Sequence, residues 1–167
     1  MKKMALFYIS VFTIVLFNWL YPSAIASAAN WQLVYSSSTD PNIWMDLMTS
    51  EKKTSKGNNH FYYVLLKHYL KPDTVQGEIS SLKERFPGRN WSGLSYIISK
   101  ELFYEGYSDS GYNRGYSAQR DIYSVTYYTA DGHRIHNVYF NDGEIFWDIL
   151  PDSVDEKIFK GIKKYWK

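Results

Sequence analysis

The amino-acid sequence predicts an α+β domain: a single antiparallel β-sheet of five to seven strands with one mid-chain helix and a C-terminal helix, after a cleaved signal peptide. Three observations support this. The chain opens with the order of features of a secretory signal. Several later segments alternate apolar and polar residues between turn formers, and two others repeat apolar residues every three or four positions. These periods are typical of strands and of amphipathic helices.

The N-terminal segment has two lysines, then a mostly apolar run as far as Tyr21, then small residues that offer A-x-A cleavage sites ending at Ala26 or Ala28. This order is typical of a secretory signal peptide, although an uncleaved anchor would have a similar apolar run. We therefore expect residues 1–28 to be a signal and residues 29–167 to form one domain in the periplasm, at the cell surface or secreted. Membrane contact is expected only through the signal.

The charge balance argues against a nucleic-acid partner. The full chain has 19 basic and 17 acidic residues, and the predicted signal removes Lys2 and Lys3, which leaves 17 of each. A nucleic-acid-binding domain is usually strongly basic. The chain also has no cysteine, which excludes disulfides, thiol catalysis and cysteine zinc sites. Stability must come from packing, for which the 19% of aromatic residues are well suited.

Strand-like segments run through most of the remaining chain. The third one places apolar residues on both faces, which indicates a central strand, and a polar link is expected before it at 51–59. In the fourth, Ser99 and Glu101 are expected on a side that faces water. The predicted strands are 31–35, 43–47, 60–70, 94–104, 119–129, 133–140 and 145–149.

Two segments have the helical period. Val75, Ile79, Leu82 and Phe86 form one stripe of a mid-chain helix that Pro87 and Gly88 would end. The second helix runs to the C-terminus. It begins with Ser153 and Glu156 at capping-box spacing, and its stripe is Val154, Ile158, Ile162, Tyr165 and Trp166.

Several of these segments resemble the surface-adhesin protein E family of bacterial exported proteins. The resemblance lies in Trp31-Gln32-Leu33-Val34-Tyr35, Trp44-Met45-Asp46-Leu47, residues 123–128 with Ala130-Asp131-Gly132, and Trp147-Asp148-Ile149-Leu150-Pro151-Asp152-Ser153 with the helix that follows. It implies a small antiparallel sheet with a C-terminal helix, and binding of host extracellular proteins such as laminin, vitronectin and plasminogen. The chain lacks the cysteines that often tie the helix to the sheet in that family.

The sequence contains no motif for nucleophilic or metal catalysis. His133 and His136 are three apart on a predicted strand, so they point to opposite faces and cannot share one ion. The carboxylates Asp148, Asp152 and Asp155 are typical of a helix N-terminus, although a glycosidase pair would look the same in sequence. We expect no enzyme activity, no metal and no cofactor.

Two groups of residues are candidates for binding a partner. The first is a predicted Gly/Tyr loop at 105–118 with its flanking tyrosine, where exposed tyrosines and one arginine would act as amphipathic contacts. The alternative is that the tyrosines fold back onto the sheet. The candidates are Tyr104, Tyr107, Tyr112, Arg114 and Tyr116.

The second group is Lys163, Lys164 and Lys167, which lysine-binding modules of host proteins or an acidic surface could capture. The alternative is an ordinary solvated helix face.

Together these features predict an exported, non-catalytic surface or periplasmic binding protein that is adhesin-like and binds host extracellular-matrix or plasma proteins. An envelope protein that binds a cell-wall or sugar ligand through exposed aromatics is the alternative, followed by a small periplasmic hydrolase. Edge strands of the sheet could also pair two copies into a homodimer.

Overall fold

The computed structural model describes residues 29–55, 59–108, 115–141 and 146–166, so the predicted signal at 1–28 lies outside it. The described residues form eight strands and two helices. The strands are β1 (Trp31–Tyr35), β2 (Asn42–Asp46), β3 (Glu51–Ser55), β4 (Asn59–Tyr69), β5 (Leu94–Ser108), β6 (Gly115–Thr129), β7 (Arg134–Tyr139) and β8 (Phe146–Asp148). The helices are α1 (Pro72–Arg85) and α2 (Val154–Lys163), which ends in a 3-10 turn, Lys164–Trp166. Neither helix has the length and apolar character needed to cross a bilayer.

All strand pairings are antiparallel, in the order β1-β2-β4-β5-β6-β7, with β3 also beside β4 and β8 beside β6. The predicted antiparallel sheet with a mid-chain and a C-terminal helix is therefore confirmed. The predicted count of five to seven strands is too low, because the polar link expected at 51–59 contains β3. This strand has no apolar residue, so backbone pairing with β4 creates it rather than a hydrophobic face.

Both helices pack on the same face of the sheet. Tyr62 of β4 lies opposite Phe103 of β5, and both belong to a core that contains Ile158, Phe159 and Ile162 of α2. Further along the same face, His68 lies opposite Ile97, which packs in a second core with Leu82 of α1 and with Trp91 and Tyr127. Strand alternation puts the two cores on one side. We call the other side, which carries Phe61, Tyr63, Leu65, Lys67 and Tyr69, the open face.

The prediction that the polar side of β5 faces water is wrong. Ser99, Glu101 and Glu105 are 2%, 2% and 7% exposed. They share the helix-covered face with Phe103, and partners from distant segments satisfy them: Arg120 bonds Glu101, and Lys163 bonds Glu105. The polarity of a strand residue predicts exposure only when no such partner exists.

The predicted loop at 105–118 is also largely wrong, because β5 and β6 form a long hairpin. Glu105 pairs with Ala118 and Tyr107 with Tyr116, so only residues 109–114, between the two strands, lie outside the described chain. Glycine indicated a loop at this point, but the tyrosines and serines between the glycines are compatible with strands.

Helix α2 begins as predicted and docks closely on β1. The Glu156 amide donates to the Ser153 hydroxyl at 3.1 Å, and the Glu156 carboxylate accepts from the Asp152 amide at 3.0 Å. The predicted stripe is confirmed at Ile158 and Ile162, which are buried, but Val154 is 39% and Tyr165 37% exposed. Gly161 permits the docking, since a Cβ there would lie 1.9 Å from the Val34 carbonyl oxygen.

We expect Gly161→Ala to lower the free energy of unfolding by about 1–3 kcal/mol or more, because the added methyl would overlap backbone that cannot move aside easily. Gly77→Ala is the matched control. Gly77 is exposed in α1 with no atom within 4 Å of a Cβ, so alanine should raise stability by about 0.5–1 kcal/mol. Urea unfolding of both variants measures this. Equal effects in the two variants would contradict the close docking of α2.

Candidate ligand-binding face

A row of three tyrosines crosses the open face, one from each of three neighbouring strands. Tyr69 lies opposite Tyr96, and Tyr96 lies opposite Tyr128. The rings of Tyr96 and Tyr128 stack with centroids 5.0 Å apart and planes at 8°, and the ring of Tyr69 tilts against Tyr96 at 5.7 Å. Burial, followed by the neighbouring Tyr128 and Tyr69, raises the pKa of Tyr96 above its ordinary value. We call these residues the tyrosine row.

Lys67 places a positive charge at the tyrosine row. Its ammonium lies 4.0 Å from the ring centroid of Tyr96, 4.5 Å from that of Tyr69 and 5.7 Å from that of Trp31. Each such cation–π contact contributes about 0.5–1 kcal/mol at a partly exposed site. Lys67 is thereby held among rings from three strands.

A second aromatic group lies at the opposite end of the face. Phe61 and Tyr104 pack with ring centroids 5.0 Å apart, and the Tyr104 hydroxyl donates to the carbonyl of Tyr107 at 3.4 Å. The adjacent Tyr63 ring is covered by Lys53, whose ammonium lies 4.8 Å from the centroid and also pairs with Glu51 at 2.8 Å.

A groove of about 330 Å³ lies between the two aromatic groups, lined among others by Thr49, Tyr63, Leu65, Lys100 and Tyr123. A β-bulge forms one side of it: Ser124 pairs with Lys100 and Ile122 with Glu101, so that Tyr123 is an extra residue in β6. The Lys100 side chain is exposed and makes no ion pair with any residue of the four described ranges.

The structure separates the tyrosines that were predicted to bind together. Tyr104 lies on the open face, whereas Tyr107, three positions further along β5, lies on the opposite side and is 58% exposed. The backbone of Tyr116 lies opposite Tyr107 in β6. Tyr112 and Arg114 lie outside the described residues.

The predicted lysine group is also divided. Lys163 pairs with Glu105 at 2.7 Å, and its ammonium lies 4.7 Å from the Phe159 ring centroid. Lys164 is exposed in the terminal 3-10 turn, and Lys167 lies outside the described residues. Lys163 is therefore engaged within the fold.

The tyrosine row and the groove were missed from the sequence, although one observation pointed toward them. Half of the odd-numbered residues of β4 are aromatic, namely Phe61, Tyr63 and Tyr69, and the apolar character of this side was interpreted as that of a central strand. Half-exposed tyrosines suit a surface that contacts water, because the ring is apolar and the hydroxyl is polar. The aromatic residues on one face of β4 were the feature of the sequence that could have indicated this surface.

A buried ionic network lies on the helix-covered face. Glu101, whose side chain is fully buried, accepts from Arg120 Nε at 2.6 Å and from Arg120 Nη2 at 2.8 Å. Burial alone would raise the pKa of Glu101, but the charge of Arg120 and the contacts with His68 and Arg120 lower the pKa to about 2. Arg120 also bonds Asp155, which accepts from the indole of Trp147 at 2.8 Å.

Ser99 and His68 extend this network, but not in the order of a catalytic triad. The Ser99 hydroxyl donates to Glu101 at 2.5 Å, because an ionised carboxylate can only accept. Ser99 must then accept from His68 Nε2, which lies 3.0 Å away. A nucleophilic serine needs the reverse arrangement, with histidine taking its proton. The geometry therefore suits a structural network.

Three other residues considered for catalysis or metal binding have structural partners: Asp148, His133 and His136. Asp148 accepts from Gln119 at 2.9 Å. His133 lies 3.4 Å from Asp131, while His136 packs on Phe86 with ring centroids 4.7 Å apart, and burial lowers its pKa. Within the part of the chain that the structure describes, no three histidine or carboxylate side chains converge as a metal site would require.

Comparisons of the chain with protein-family models, curated proteins and solved structures found no match. The resemblance to the surface-adhesin protein E family therefore stays a prediction.

We expect the Glu101–Arg120 pair to make stability depend on acid pH. The folded-state pKa of about 2 lies below the ordinary value of 4.5, so the stabilisation is complete above pH 4.5 and is lost as pH falls toward 2. Glu101→Gln should cost about 3 kcal/mol or more at neutral pH, because Arg120 stays buried without its main anion. It should also flatten the acid limb of stability against pH. Urea unfolding between pH 2 and 7 tests both effects.

Glu84→Gln is the control for this experiment, since Glu84 is exposed on α1. An acid limb that is unchanged in Glu101→Gln would show that other carboxylates carry the pH dependence.

Proposed function

We propose that this chain is an exported, non-catalytic binding protein, adhesin-like in function, that contacts a host extracellular-matrix or plasma protein through the open face. The observation that carries the proposal is the placement of both helices on one side of the sheet. This placement leaves Tyr69, Tyr104 and Lys67 on a broad surface that neither helix covers.

The chemistry of the open face supports binding rather than a purely structural role. Large aromatic surfaces rimmed by polar groups mark interaction sites in soluble proteins. Tyrosine gives a large contact area at a low cost in conformational entropy, and hot spots of interfaces are enriched in it. Tyr69 is 42% exposed at one end of the tyrosine row, so a partner would bury additional aromatic area there.

The choice of a host protein as partner rests on the resemblance to the surface-adhesin family and on the shape of the tyrosine row. Tyr96 is 9% exposed, and one face of the Tyr128 ring stacks on it, so a partner would contact mainly Tyr69 and the rest of Tyr128. Such a surface fits a broad protein contact better than the flat stacking of a sugar ring. The alternative, an envelope protein that binds a cell-wall or sugar ligand, is favoured by one feature, the groove beside Lys100.

The C-terminal lysines are the competing contact site. Deleting residues 163–167 is a poor test of them, because Trp166 packs against Tyr62 with ring centroids 5.7 Å apart and its loss would disturb the core. Lys164→Ala is cleaner, since Lys164 is exposed.

We expect intact cells to expose the protein to added protease. Shaving followed by mass spectrometry should release peptides of 29–167, with a mature N-terminus after Ala26 or Ala28. Release only after the envelope is opened would contradict surface display and favour the envelope-ligand alternative. A retained N-terminus would contradict cleavage of the signal.

We expect Tyr69→Ala and Tyr104→Ala each to weaken binding to immobilised laminin, vitronectin or plasminogen by about tenfold or more, as loss of an aromatic hot spot does. Leu150→Ala is the control, because Leu150 is 65% exposed in the segment before α2 and lies outside the sheet. Surface plasmon resonance measures binding, and circular dichroism checks folding. Unchanged binding in both tyrosine variants, with loss in Lys164→Ala or Tyr107→Ala, would move the site away from the open face.

A further inference from the structure

We infer that the groove on the open face is a subsite for an acidic sugar residue, whose carboxylate pairs with Lys100. This inference goes beyond the proposed function, since it assigns a sugar ligand to a part of the open face that the proposed protein contact does not require. It goes further in naming the chemical group that the groove selects and the residue that selects it.

The charged residues that line the groove are Lys100 and Glu101, and the Glu101 carboxylate is bonded to Arg120 on the helix-covered face, so the groove favours an anion at Lys100. Three lysines belong to the open face, but Lys53 is paired with Glu51 at 2.8 Å, and Lys67 is held among Trp31, Tyr69 and Tyr96. Lys100 is exposed and has no carboxylate partner in the described ranges. Its ammonium can therefore form a charge-assisted hydrogen bond with a ligand without breaking an existing pair.

The walls of the groove suit a sugar ring. Tyr63 and Tyr123 contribute aromatic side chains, Leu65 an apolar one, and Thr49 a hydroxyl. The C–H groups of a pyranose pack against aromatic and apolar surface, while its hydroxyls bond polar groups at the rim. The volume of about 330 Å³ is at the lower end of the roughly 300–1,000 Å³ that small-molecule sites have, which suits a single sugar residue.

The position of the groove argues against an acidic peptide as occupant. An extended peptide binds a sheet by adding a strand at an edge, where backbone amides and carbonyls are unpaired. The groove lies over β4 and β5 in the interior of the sheet, where Lys100 pairs with Leu65 and Ser124. Val64 and Leu65 lack a strand partner on the other side of β4, in the gap between β2 and β3, and the Leu65 amide donates there to the Ser50 hydroxyl at 3.3 Å. A gap of two residues is too short for an added strand, so the groove suits a compact ligand such as a sugar better than an extended peptide.

The test is titration of the purified protein with sodium glucuronate and with glucose, followed by two-dimensional NMR. Glucuronate should shift the amides of Lys100, Tyr63 and Tyr123, and glucose should bind at least about tenfold more weakly because it lacks the charge. Lys100→Ala should reduce glucuronate affinity about tenfold, Lys100→Arg should retain most of it, and raised salt should weaken it. Lys157→Ala is the control, as an exposed lysine on α2.

Equal binding of glucose and glucuronate, no effect of Lys100→Ala, or no shifts near the groove would each overturn the inference. A different result would contradict the proposed function, namely unchanged protein binding in Tyr69→Ala and Tyr104→Ala. Two polymers then distinguish the sources of the acidic sugar. A hyaluronan oligosaccharide represents animal matrix, and a glucuronate-containing bacterial polysaccharide represents the cell envelope. Binding that requires Lys100 with either one supports the subsite and identifies its source.

Discussion

The guanidinium of Arg120 is the group on which the arrangement of sheet and helices depends. It bonds both oxygens of Glu101 on β5 and reaches Asp155 in the first turn of α2. Its carbon lies 5.5 Å from the Phe103 ring centroid and 5.2 Å from that of Trp147. Burying these charges is costly unless each is paired, and here every one has a partner with fixed geometry. The network therefore ties α2 to β5 and β6 on the same face where Ile158 and Ile162 pack in the core.

With α2 held on that face, and α1 covering the rest of it, the two faces of the sheet have different compositions. The covered face buries Phe103, Leu66 and Ile97 against the helices. The open face has tyrosines and lysines, whose apolar parts pack on the sheet while their polar ends stay in water. Lys67 and Lys100 also disfavour non-specific association through this face. A partner without complementary negative charge would be repelled, or would bury the lysine ammonium groups unpaired.

Local patterns predicted the elements of the fold but not the partners of its polar residues. The helical periods of α1 and α2, the Ser153 cap and the turn at Gly132, whose φ is 88°, depend on neighbours in sequence and could be predicted. The burial of Glu101 depends on Arg120, 19 positions away, and the pairing of β3 depends on β4. To predict the open face, one would have to know that both helices lie on one side of the sheet. The topology of the chain determines that side, and the alternation of residues along a strand does not predict it.

The extra residue in β6 links the buried network to the groove on the opposite face. Tyr127 and Val125 of β6 pack toward α1, and Arg120 also points to that side, although strict alternation would place it on the other. The insertion of Tyr123 between Ser124 and Ile122 changes the parity, so that Arg120 can meet Glu101. The same irregularity brings Tyr123 to the groove beside Lys100. Deleting Tyr123 would therefore turn Arg120 away from Glu101. The groove is thus a consequence of an extra residue that the buried ion pair requires.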